Sequence, residues 1–195
     1  MIRLALLAGF VTLAASAGAA QAAITYEMVD PETRRPLLVE PQGSELQMSA
    51  IPREVVPFSG HYARGTVVVS TAERRLYYVL GDGQAIRYAV GVGRPGFTWG
   101  GTKTITAKQE WPDWTPPAQM LKRRPDLPRH MAGGIDNPLG ARAMYLGGSL
   151  NRIHGSNEPD SIGEAVSSGC IRMLNDDVVD LYSRVRVGTQ VVVLR

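Results

Sequence analysis

The sequence predicts a mainly β domain, a sandwich or barrel with two or three short helices. Short β-branched and aromatic runs recur from residue 65 onward, and turn residues of hairpin length separate them. No regular strand-helix alternation accompanies these runs, which argues against a βαβ repeat.

The first 22 residues read as an export signal. Arg3 supplies positive charge, residues 4–13 are almost wholly apolar, and Ala20-Gln21-Ala22 has the small-x-small form of a cleavage site. An uncleaved anchor helix is the alternative, weakened by the Ala, Ser and Gly content of the second half. No later stretch is apolar enough to span a bilayer, so stable membrane insertion after cleavage is not expected. Residues 23–61 are rich in Pro, Glu, Gln and Ser without a sustained apolar period, and read as a tail or linker before a domain at 62–195.

Within that domain, residues 66–70, 75–80 and 85–90 predict three strands of an antiparallel meander, joined by turns at 71–74 and 81–83. Residues 102–107 predict a fourth strand after a Gly-rich stretch. Residues 111–140 form a long Pro-rich excursion with a short helix near 120–124; such segments serve as lids or binding walls, or are disordered. Strands are predicted at 143–146 and 152–154, and a short helix at 161–166 capped by Ser161. Asn175 reads as the N-cap of a second helix, with Asp176 and Asp177 suiting its dipole and Val178, Leu181, Tyr182 and Val185 on one face. Residues 190–194 predict the closing strand.

The chain has a single cysteine, Cys170. In an exported protein such a thiol forms no internal disulfide, so it is either buried and inert or does chemistry. A free thiol is mostly protonated at neutral pH, and a nearby imidazole raises its thiolate fraction and later protonates a leaving amine. His154, 16 residues earlier by subtraction of the sequence numbers, is the candidate base. Gly169 permits a sharp turn that aims the amides around Cys170 at one spot, an oxyanion site. Gly155 leaves room for a backbone carbonyl to hold the other ring nitrogen of His154. Arg172 is placed to pair with a substrate carboxylate. Each has a plainer reading: a core cysteine and histidine, a surface arginine and two turn glycines. Ser168 lacks the nucleophile-elbow pattern and is disfavoured as a nucleophile.

Ile153-His154-Gly155-Ser156 and Ser167-Ser168-Gly169-Cys170-Ile171-Arg172, with the order of β elements over residues 62–195, resemble the L,D-transpeptidase catalytic domain, the YkuD-like family of bacterial cell-wall enzymes. Trp114-Thr115-Pro116-Pro117, Asn137-Pro138-Leu139-Gly140 and Tyr145-Leu146 add to the likeness. The resemblance implies a periplasmic cysteine acyltransferase. Cys170 would take an acyl group from a peptidoglycan tetrapeptide stem, expel D-alanine, and pass the group to an amine of a second stem or of a wall-anchored lipoprotein. It makes Cys170 the nucleophile and His154 the base; beside them Gly155 and Gly169 are read as backbone contributors, Arg172, Ser168 and Tyr145 as substrate-side residues, and Ser167 as substrate-side or only shaping the turn. Ser168 stands where the family often has a second His. A carboxypeptidase of the same family and a non-catalytic peptidoglycan-binding module are the alternatives.

A formal charge of +3 is too small to suggest a nucleic-acid partner. No cofactor or metal is expected: beyond His154 only His61 and His130 remain, in loop contexts, and Gly91-Val92-Gly93 lacks the helix of a nucleotide site.

Overall fold

The computed structural model describes residues 52–195 and two short strands before them, β1 (Met28–Val29) and β2 (Pro36–Leu37), which pair antiparallel with each other. The export signal expected at 1–22 lies outside the described residues, as does most of the 23–61 tail.

The meander forms as its alternation predicts. β4 (Val67–Ser70), β5 (Arg75–Gly81) and β6 (Gln84–Ala89) pair antiparallel in succession. Their turns use positive φ at Arg74, Asp82 and Gly83. β3 (Glu54–Pro57) adds to the outer side of β6, so residues within the stretch read as linker contribute an exposed edge strand.

On the other side of β4, the chain's last strand β13 (Gln190–Leu194) pairs parallel with it and antiparallel with β8 (Gly101–Glu110). The sheet continues through β9 (Arg142–Leu146), β10 (Arg152–His154) and β12 (Ile171–Arg172), giving the order β12-β10-β9-β8-β13-β4-β5-β6-β3. A separate parallel pair joins β7 (Val92–Gly93) to β11 (Ala165–Ser167). The domain is mainly β, and its large sheet is open, with no closed barrel. At the outer edge of β12, Gly91 and Arg172 exchange two backbone hydrogen bonds of 2.9 Å each.

The core is built from same-face rows. Val67 faces Val191, Val69 faces Val193, and Met144, Ile153 and Ile171 align across three strands. All lie at or near zero exposure. The helix α2 (Asn175–Arg184) buries Val178 and Leu181, with Val185 just beyond its end, and Tyr182 packs partly against the same cluster. The 111–140 excursion is ordered by α1 (Ala118–Arg123) and by reciprocal 2.8 Å hydrogen bonds between Trp114 and Met131.

Two local expectations are corrected. The helix expected at 161–166 is instead a 3-10 turn at Pro159–Ser161 followed by β11. Gly163 at φ +90° breaks the helical path, and the Val92 amide donates to the Glu164 carbonyl, drawing the segment into a strand. Asn175 is not an N-cap. Leu174 holds that position without a side-chain cap, and the Asn175 amide turns away from its own helix to bind two other segments.

Candidate functional site

The register of β9, β10 and β12 decides which side chains share the face opposite the Met144-Ile153-Ile171 core row. Tyr145 pairs with Arg152, and Ala143, His154 and Arg172 pair in the next row on that face. Extending the β10–β12 register by one residue sets Cys170 opposite Arg152. Tyr145, Arg152 and Cys170 thus form one row, and His154 and Arg172 stand two residues along. Strand spacing of ~4.8 Å and a rise of ~3.3 Å per residue put the Cα atoms of Cys170 and His154 on the order of 8 Å apart.

His154 is 4% exposed, and its Nδ1 lies 2.5 Å from the Gly155 carbonyl oxygen. That acceptor fixes the proton on Nδ1 and leaves Nε2 with the lone pair. Burial pushes the imidazole down to about 4. The Gly155 and Leu139 carbonyls pull back up, and the Arg172 and Arg152 charges push further down. The ring is therefore neutral at physiological pH.

Asn175 holds the His154 segment in place. Its Oδ1 accepts from the Ala141 amide at 2.9 Å, and its Nδ2 donates to the Ser156 carbonyl at 3.2 Å. A Cβ on Gly155 would collide with Asn175 Oδ1, and one on Gly140 would meet Asn175 Oδ1 and the Ser156 amide. These glycines are where three segments meet at backbone distance.

Cys170 is the one cysteine, unpaired and partly exposed, with Sγ 3.9 Å from the Leu150 carbonyl. Burial of the sulfur holds the thiol above its ordinary value, although the Arg152 amide and guanidinium and the Arg172 charge pull it part of the way back down. Gly169 sits at φ +106°, a conformation L side chains rarely adopt, and a Cβ there would crowd Asn151. Its carbonyl accepts from Trp99 Nε1 at 2.7 Å and Asn151 Nδ2 at 2.8 Å. Ser167 is buried; its hydroxyl donates to the Cys170 carbonyl at 2.6 Å and accepts from the Gly169 amide at 3.1 Å. The turn before Cys170 is thus tied at both peptides.

Of the other residues singled out from sequence, Ser168, Arg172 and Tyr145 are half-buried. Ser168 accepts from Arg94 Nη1 at 3.3 Å. Arg172 pairs with Glu158 at 2.6 Å, so a substrate carboxylate would have to share or displace that partner. Tyr145 donates its hydroxyl to Gln109 Oε1 at 3.0 Å and lies beneath the Arg152 guanidinium, 5.3 Å from its ring centroid. His61 is outside this cluster, and His130 pairs with Asp113 at 3.4 Å. Sequence reasoning missed Arg152, Asn175, Trp99, Asn151, Arg94 and Glu158. All act through contacts between segments distant in the chain; only the register, placing Arg152 opposite Cys170, carries a signal for one of them.

This arrangement coincides with a family-level match. Residues 64–193 match the YkuD family, described as the L,D-transpeptidase catalytic domain. The chain belongs to that family. The probable L,D-transpeptidase ErfK/SrfK of Escherichia coli K12 is 40% identical over 140 residues, covering 67% of this chain and 44% of that protein. The chain thus spans less than half the length of that curated relative. A solved Brucella melitensis structure described as a probable carnitine operon oxidoreductase caia is 45% identical, with TM-score 0.51, covering 75% of this chain and 95% of that one. Its description is at variance with the other matches. An L,D-transpeptidase from Mycobacterium smegmatis shares the fold at 20% identity and TM-score 0.54, covering 74% of this chain and 60% of that one.

Proposed function

We propose that the protein is an exported, periplasmic L,D-transpeptidase acting on peptidoglycan stem peptides. The observation that carries this reading is the strand register, which sets the chain's only cysteine and a histidine whose Nδ1 is held by Gly155 on neighbouring strands, two residues apart along them. Nε2 of the neutral His154 takes the thiol proton as Cys170 attacks the carbonyl of the third stem residue. A C–S bond forms, the C–N bond to the terminal D-alanine breaks, and His154 returns the proton to the leaving amine. The acceptor amine, from a second stem or a lysine of a wall-anchored lipoprotein, then attacks the thioester. A C–N bond forms and the thiol is released.

The doubly held Gly169 carbonyl supports an oxyanion site. In a trans peptide the Cys170 N–H points opposite to that carbonyl, so fixing one fixes the other without reorganisation during reaction. Ser167 holds the same turn, and Tyr145, Ser168 and Arg172 are the side chains this reading assigns to the stem peptide.

Incubating the protein with tetrapeptide muropeptides and resolving products by mass spectrometry tests this. Wild type is expected to release D-alanine and form an acyl product, and Cys170→Ala none while keeping its fold. An amine on the acyl product supports transfer; water alone makes the protein a carboxypeptidase. No release from good donors overturns the reading.

A further inference from the structure

Arg152 stands in the nucleophile's row, between the Tyr145 ring and Cys170. Its Nε is buried without a hydrogen-bond partner, and among the described residues it pairs with no carboxylate. The other cations around the thiol are already engaged: Arg172 by Glu158, and Arg94 by Ser168, the Val166 carbonyl and the Phe97 ring. A partly buried guanidinium left without a counter-charge is costly, and the group across the ladder that can become its counter-ion is the Cys170 sulfur on losing its proton.

We propose that Arg152 is a positioning residue for the nucleophile: its charge across the ladder offsets part of the cost that burial puts on a Cys170 thiolate, so the thiol gives up its proton to the neutral His154 more readily. This rests on the reading of Cys170 as the reacting group. The charged and titratable groups facing that sulfur are Arg152 and His154 from β10, Arg172 from β12, Arg94 from the loop after β7, and Glu158 through its pair with Arg172. Only Arg152 combines a place opposite the sulfur with an unanswered donor. Its charge acts on both partners in the needed direction, drawing the thiol down and disfavouring the imidazolium. The stabilising cation is therefore permanent, and His154 stays neutral until it takes the thiol proton that it later hands to the leaving amine.

The test uses the full chain without wall peptide, because its single cysteine makes alkylation unambiguous. The pH dependence of iodoacetamide alkylation is measured for wild type, Arg152→Met, Arg152→Lys and Arg172→Met, with circular dichroism confirming the fold. Arg152→Met is expected to raise the thiol midpoint by about one unit and slow alkylation at pH 7 about tenfold. Arg152→Lys is expected to restore most of the loss. Arg172→Met, removing a charge that Glu158 already offsets, is expected to move the midpoint less. Should Arg152→Met fail to fold, Arg152→Gln replaces it with the same expectations. An unchanged midpoint, no rescue by lysine, or an equal shift in Arg172→Met overturns the proposal. None of these outcomes bears on D-alanine release, so the two readings fail separately.

Discussion

The β4-β5-β6 meander and the β9-β10-β12 corner belong to one sheet but are held in different ways. In the meander, each strand is fixed by its neighbour's backbone and by alternating side chains such as Leu76, Tyr88 and Val69, all at zero exposure. In the corner, side chains reach across sequence to backbone groups: Asn175 to Ala141 and Ser156, Trp99 and Asn151 to Gly169, Ser167 to Cys170. The meander is a repeating solution that tolerates local change. The corner is a set of single contacts, each fixing a segment around the proposed site.

The contrast predicts that damage to the meander lowers stability and damage to the corner lowers rate. Leu76→Ala is expected to cost about 2–5 kcal/mol in denaturant unfolding, while kcat of the folded fraction stays within about twofold of wild type. A rate loss matching the stability loss would erase the distinction. Gly155→Ala, whose new methyl meets Asn175, is expected to lower kcat about 100-fold with KM little changed, since small misplacements of the proposed base would be costly. Steady-state kinetics at a temperature where both proteins are folded would check this.

The third prediction concerns protons. His154 is held at about 4 when folded, against an ordinary value of 6.5, chiefly by burial. Between those values the unfolded chain binds a proton that the folded chain lacks, so this stability is complete above pH 6.5 and is lost as pH falls toward 4. Moving from pH 7 to pH 5 is expected to cost about 2 kcal/mol in wild type, and His154→Gln should lack that component of the slope. Parallel urea-unfolding curves for the two proteins at both pH values would show the difference.

The same contrast explains what was legible in the sequence. The meander strands and the closing strand announce themselves because period-two alternation is a local signal, and β13 falls on the expected residues 190–194. Strands β7, β11 and β12, of two or three residues, are too short to show a period and exist because partners recruit them. Cys170, His154, Gly155 and Gly169 are visible through residue type and spacing. Asn175 misleads, because an Asn followed by two Asp before an apolar helical face is the local mark of a cap, and only the fold reveals that its side chain is needed elsewhere. Arg152 is invisible for the complementary reason: its neighbour across the ladder lies 18 residues away by subtraction from Cys170.

The Gly91-Arg172 exchange has a bearing on what can approach this corner. With both main-chain groups of Arg172 already occupied, an incoming peptide finds no open row there onto which to zip as an additional strand. Regular strand addition would favour uniform L-chirality. A peptide of mixed handedness would have to be gripped one centre at a time, so any selectivity at this edge falls to individual side chains and a mirror-image change at a single centre becomes detectable.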